Sequence, residues 1–156
     1  EQVRETVNFA VPEDNGMNYI DRVETDWAFR IQLPIGTNVP FHCTASGKCF
    51  LSSLKKREIN GILSSIKLEA ITEKTHVTPE GLMQELNQIK KQGYALDREE
   101  FMEGMIAIAV PIKDREDRFV GALAFHGPTQ RISIENAVAR KEILISASQK
   151  LREHLF

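Results

Sequence analysis

Two apolar runs, Met105 to Ile112 and Phe119 to Phe125, are separated by six consecutive charged residues, Lys113 to Arg118. A polar connection of that length suits a hairpin turn, so the two runs are expected to pair as antiparallel strands. Any fold for this chain must therefore contain an antiparallel sheet. The N-terminal part repeats the theme. Val7, Phe9 and Val11 alternate with polar or small residues, Asp14-Asn15-Gly16 supplies residues that tolerate positive φ, and Met17 to Val23 again reads as a strand. Ala28 to Leu33 places Phe29, Ile31 and Leu33 on one face and Arg30 and Gln32 on the other, a half-buried strand ended by Pro34 and Gly36.

Helical signals occupy the middle and the end. Small residues lead into an apolar run at Ala45-Ser46-Gly47, so a helix is expected from Thr44 or Ala45, and a second short one over Lys55 to Leu63. Thr78-Pro79-Glu80 offers an N-cap, a proline at the first helical position and an acid suited to the helix dipole. Leu82, Leu86 and Ile89 follow at helical spacing, and Gly93 is placed to stop the helix. From Ile134 to the C-terminus no glycine or proline occurs, which predicts one closing helix. Strands joined by hairpins, with helices gathered between and after them, give an α+β class rather than a parallel nucleotide-binding sheet. Gly-x-Gly-x-x-Gly is absent, and Gly47-Lys48 is followed by Cys49 instead of the Ser or Thr of a phosphate-binding loop.

The 156 residues suit one domain, residues 1–156, large enough to bury a core without disulfide or metal. A hydrophobic share of 42%, a charged share of 27% and a mean hydropathy of -0.28 describe a soluble globular chain. No apolar run approaches a membrane span, so no membrane partner is expected. Net charge is -2, whereas a domain that grips nucleic acid usually carries a basic excess on one face. The two cysteines and the lack of a secretory leader fit a reducing, cytoplasmic setting.

Longer stretches carry a resemblance. Leu33-Pro34-Ile35-Gly36, Pro40-Phe41-His42-Cys43-Thr44-Ala45-Ser46-Gly47-Lys48, Thr75-His76-Val77-Thr78, Gln92 to Glu100, Gly104 to Pro111 and Gly127-Pro128 occur in the order and at the spacing of one family. Together with Tyr19 to Glu24, they make nearly the whole chain resemble the C-terminal effector-binding domain of IclR-family bacterial transcriptional regulators. That resemblance implies a GAF-like fold, an antiparallel sheet of about six strands flanked by helices. It implies a winged helix-turn-helix DNA-binding domain upstream, with Glu1 to Glu5 as the tail of the connecting helix. It also implies a homodimer or homotetramer that meets DNA only through that upstream domain.

The implied function is to bind a small organic acid and thereby modulate DNA binding, without catalysis, cofactor or metal. At the helix entry, the small side chains of Ala45, Ser46 and Gly47 admit a ligand to the backbone, and first-turn amides backed by the helix dipole suit a carboxylate. Close helix-to-sheet packing would explain the same small residues. The resemblance further assigns Asp97, Ala107, Ala124 and His126 to the pocket lining, and Phe29, Ile31 and Val39 to its apolar wall. Several family members carry serine or cysteine where this chain has Ala107 and Ala124, which predicts a roomier, drier pocket and an acid with an apolar or aromatic body. His126 could donate a hydrogen bond, carry charge near neutral pH, or be a structural residue; Asp97 could accept from a ligand hydroxyl or cap the local backbone.

Two other readings stand beside this one. A GAF-like enzyme could use Cys43 or Cys49, since a cysteine beside an imidazole or at a helix start can become a thiolate. Neighbouring residues of an extended chain point to opposite faces, however, which argues against a His42–Cys43 pair. An oligomerisation module with an empty pocket is the other. Zinc is not expected, because His42, Cys43, Cys49, His76, His126 and His154 lack the close pair spacing of structural sites.

Overall fold

The computed structural model describes residues 6–23 and 36–155. Five helices and six strands follow in the order β1 (Thr6–Glu13), β2 (Gly16–Val23), β3 (Asn38–Val39), α1 (Ala45–Ser52), α2 (Lys56–Ser65), α3 (Pro79–Gln92), β4 (Ala95–Arg98), β5 (Met105–Lys113), β6 (Phe119–Pro128), α4 (Ile134–Ala139) and α5 (Lys141–Leu155). The strands form one antiparallel sheet in the order β3-β2-β1-β6-β5-β4. The expected β5–β6 hairpin sits inside that sheet, with Ile108 opposite Phe125 and Val110 opposite Leu123. Two elements have no counterpart in the sequence reading, the short edge strands β3 and β4. The expected strand Ala28 to Leu33 lies outside the described residues.

Both faces of the sheet are covered. On one, Ala45, Cys49 and Leu51 of α1, Ile59 and Leu63 of α2, and Leu82, Leu86 and Ile89 of α3 pack with Ala10, Ala107, Ala109, Ala122 and Ala124 of the strands. On the other, Ile106, Ile108, Val110, Ile112, Leu123 and Phe125 meet Ala137 of α4 and Leu144 of α5. The two faces differ in side-chain size. A floor of alanines on the first face lets α1 lie close to the strands, whereas branched and aromatic side chains fill the second as an ordinary core.

Helix α3 forms as its punctuation predicts. The Thr78 side chain accepts from the Gly81 amide at 3.1 Å, Pro79 opens the helix, and Gly93 closes it at φ 85°. Thr78→Ala is expected to cost about 1 kcal/mol in chemical unfolding, the usual loss for a side-chain N-cap. A cost near zero would show that the helix draws its start from packing alone.

The single closing helix expected from Ile134 is instead two. Arg140 departs from helical geometry (φ -97°, ψ 4°), and its amide bonds back to Ala137 and Val138. Its guanidinium lies 5.9 Å from the centre of the Phe125 ring. The break therefore coincides with a tertiary contact and not with glycine or proline, and it leaves both Ala137 and Leu144 buried on the sheet.

Candidate functional site

Residues assigned to the pocket from far-apart stretches are brought onto one face by strand register. Asp97 on β4 lies opposite Ala107 on β5, and Ala107 lies opposite His126 on β6. In the next row but one, Ala95, Ala109, Ala124 and Asn8 stand side by side across β4, β5, β6 and β1. Since side chains alternate along a strand, these two rows share the face beneath α1. Val39, assigned to the apolar wall, is buried and pairs with Met17. Phe29 and Ile31 lie outside the described residues.

The start of α1 has two kinds of amide. Gly47 is already capped, its N–H donating to Thr44 Oγ1 at 3.0 Å. The amides of Ala45 and Ser46 precede it in the helix and have no acceptor among the described residues. Gly47 therefore contributes space and not a donor. A Cβ there would stand 2.4 Å from the Phe41 carbonyl oxygen and 2.6 Å from Phe41 Cα, so only glycine lets the preceding loop fold back on the helix. Ser46 is buried at 1% exposure; among the described residues its Oγ makes no well-formed hydrogen bond, and its polar neighbour is the Tyr19 hydroxyl, whose ionisation it favours.

Opposite that turn lies a polar chain that sequence reading missed. Asn8 Nδ2 donates to His126 Nδ1 at 2.9 Å, and His126 Nε2 lies 3.2 Å from the Tyr19 hydroxyl. An imidazole that accepts at Nδ1 and is uncharged carries its proton on Nε2, which then donates to Tyr19. Burial pushes the His126 pKa down to about 4, so the imidazole is neutral at pH 7. Of the roles open to His126, donating a hydrogen bond fits and carrying charge near neutrality does not: no carboxylate among the described residues is bonded to it, so nothing offsets its desolvation. Burial, followed by the charge of Asp97, holds the Tyr19 phenol protonated far above its ordinary range.

Asp97 plays the capping part. Its Oδ1 accepts from the Glu100 amide at 2.7 Å, and burial pushes its carboxyl up to about 7. Behind it lies a buried ionic network. Lys48 Nζ donates to Glu85 Oε2, to the Leu96 carbonyl at 2.6 Å and to both Glu100 oxygens at 2.7 and 2.8 Å. His76 Nε2 is 2.5 Å from Glu85 Oε1, and Thr75 Oγ1 donates to the Glu100 carbonyl at 2.6 Å. Burial would raise the Glu85 carboxyl, but Lys48 and His76 outweigh it and hold the group below its usual value. His76, Glu85 and Glu100 place ligating atoms within 4.8 Å of one another, yet the Lys48 ammonium bonds to both carboxylates and is the cation they hold.

Neither cysteine is poised for chemistry. Burial raises Cys43 and Cys49 to about 12, so both are neutral thiols at pH 7. His42 turns away from Cys43, its Nε2 2.9 Å from the Glu69 carbonyl. Cys49 borders a groove of about 430 Å³ at the far end of α1, between Phe50, Ile89, Lys113 and Phe119, and no residue assigned to the effector pocket lines it.

Among the described residues no helix is long and apolar enough to cross a membrane. Residues 1–153 match the family model described as the bacterial transcriptional regulator IclR C-terminal region. The probable transcriptional regulator SauR of Cupriavidus necator is 34% identical over 135 residues, which is 86% of this chain and 54% of that protein. The chain thus spans about half the length of the curated relatives it matches, among them the Escherichia coli regulator KdgR at 31% identity, 95% of this chain and 56% of that one. The crystal structure of the KdgR C-terminal domain superposes with a TM-score of 0.85 at 30% identity, covering 96% of this chain and 87% of that one. The PobR inducer-binding domain from Acinetobacter, solved with 3-hydroxybenzoic acid, shares the fold at a TM-score of 0.88 and 23% identity over 95% and 87% of the two chains. These relatives are regulators of transcription. The chain belongs to the IclR family of bacterial transcriptional regulators, of which it represents the C-terminal domain.

Proposed function

We propose that this domain senses a small organic acid held between the start of α1 and the polar rows of the sheet. The carboxylate sits on the amides of Ala45 and Ser46, and the body of the acid lies over Ala107 and Ala124 towards Asp97 and His126, with Phe29, Ile31 and Val39 as apolar wall. One observation carries the reading: among the described residues the amides of Ala45 and Ser46 find no acceptor, and beside them the buried Ser46 hydroxyl has no polar neighbour but the Tyr19 phenol and no well-formed hydrogen bond even to it. Buried polar groups are nearly always satisfied, and an anion at a helix N-terminus would satisfy these. The alanines at 107 and 124 offer no hydrogen bonds of their own, which favours an acid with an apolar or aromatic body over a two- or three-carbon one.

Binding acts on transcription only if the acid prefers one arrangement of the assembled regulator. That assembly is a homodimer or homotetramer in the cytoplasm, and each chain reaches DNA through a winged helix-turn-helix domain preceding this segment. A thermal-shift panel of aliphatic and aromatic carboxylic acids tests the site. A binder present at 100 times its Kd should stabilise the fold by about 2.7 kcal/mol. Ser46→Leu should reduce affinity at least tenfold with an unchanged circular dichroism spectrum. Full affinity in that variant would place the acid elsewhere, and no response to any acid would leave the oligomerisation reading.

A further inference from the structure

Two side-chain atoms are buried without a partner among the described residues, and they lie at the two ends of one polar chain. Ser46 Oγ is beside Tyr19 at the helix end; Asn8 Oδ1 is at the sheet end, next to His126. Between them run the contacts Asn8 to His126 and His126 to Tyr19, and Tyr19 meets the imidazole edge-on with ring centres 5.8 Å apart. Asn8 is 2% exposed.

We infer that the Asn8 carbonyl, held in place through His126 and Tyr19, reads a hydroxyl group on the effector, so that the site takes hydroxy-substituted organic acids. This rests on the acid-binding reading of the same site. Asn8 has one amide and can turn it two ways. Its Nδ2 is committed to His126 Nδ1, and that imidazole is braced from the other side by Tyr19, so the amide turns its oxygen away from the imidazole, buried and without a partner among the described residues. Across the sheet, its row continues through Ala124, Ala109 and Ala95, whose methyl groups supply no donor. Among the described residues no donor meets Oδ1, so the donor it takes is the ligand's. Every group in the chain is neutral at pH 7, so it selects by hydrogen-bond direction and not by charge. A hydroxyl satisfies Oδ1, a methyl ether sets lone pair against lone pair, and an unsubstituted acid leaves the carbonyl unpaired.

The chain is titrated by calorimetry with three matched sets: benzoate, 3-hydroxybenzoate and 3-methoxybenzoate; the same with 4-substitution; and phenylacetate, mandelate and α-methoxyphenylacetate. In at least one set the hydroxy acid should bind tenfold or more tighter than its ether and its unsubstituted parent. Asn8→Leu should bring the three acids of that set within threefold of one another. In the unaltered chain, the Asn8 side-chain amide resonances should move with the hydroxy acid and stay with the ether, a measurement that needs no variant to fold. If acids bind but ether and hydroxy forms are equal, or the preference survives Asn8→Leu, or the Asn8 amide is silent, this inference is overturned while the acid site stands. If no acid of any set binds, both are overturned.

Discussion

Lys48→Met should lower the stability of the domain by about 3–5 kcal/mol, the range measured when one partner of a buried ion pair is removed. The ammonium is fully buried, and its removal leaves the Glu100 carboxylate, itself 3% exposed, with no cation. Glu85 at 17% exposure can turn partly to water and to His76; Glu100 cannot, because its backbone is fixed by Thr75 and its Oε2 also accepts from the Arg98 amide at 3.1 Å. Most of the cost therefore belongs to a stranded charge, and Glu100→Gln in the same chain should recover a large part of it. Urea unfolding of the two single variants and the double variant gives the coupling directly. Additive losses, or a Lys48→Met cost under about 1 kcal/mol, would show that the network is not the tie between α1, α3 and the loop after β4 that its geometry describes.

That network marks where sequence reading stopped. Lys48 draws notice in the sequence as a phosphate-loop residue ruled out by Cys49 and as the last residue of a resembling stretch, but nothing there marks it as buried, since a lysine one turn into a helix is ordinarily solvated. Its partners Glu85 and Glu100 are 37 and 52 residues away, beyond the reach of any local pattern. Thr75 and His76 stood out by resemblance, but their task, tying the segment before α3 to Glu100 and Glu85, appears only in three dimensions. The hairpin β5–β6 and helix α3 were legible because their signals are local: six charges between two apolar runs, and a cap, a proline and a glycine around a 3.6-residue period.

Strand β1 shows a subtler limit. Val7, Phe9 and Val11 suggest the buried side of a half-exposed strand, with Asn8 and Ala10 turned out. In the structure Asn8 and Ala10 are buried beneath α1, while Val7 and Phe9 pack only partly against the opposite core. Alternation tells inside from outside only when one face meets water, and this sheet is covered on both. The polar chain Asn8–His126–Tyr19 was therefore hidden behind a pattern that looked complete. His126 emerged through resemblance alone, and its neutrality follows from a burial that no sequence window records.

Asp97 links stability to pH with a sign opposite to that of an ordinary surface carboxylate. Burial raises its folded pKa to about 7 from an ordinary 3.8, with the charge of Glu100 adding to the effect and the amide of Glu100 and the charge of Lys48 opposing it. Below about pH 4 the carboxyl is protonated in both folded and unfolded chains, and the full stability is present. As pH rises from about 4 to about 7, the unfolded chain releases the proton while the folded one keeps it, so stability falls; above about 7 the loss is complete. A shift of that size corresponds to on the order of 4 kcal/mol. Asp97→Asn keeps an oxygen to accept from the Glu100 amide at 2.7 Å but cannot ionise. The variant should therefore unfold at a higher urea midpoint than the original chain at pH 8, and the gap should narrow through pH 5 and close near pH 4. Parallel pH profiles for the two chains would mean that Asp97 is ionised throughout, with Lys48 and the capped turn stabilising its charge after all. The same protonation bears on the ligand: below pH 7 the pocket loses a negative charge, so an acid that binds as its anion should bind more tightly at pH 6 than at pH 8, and Asp97→Asn should erase that difference.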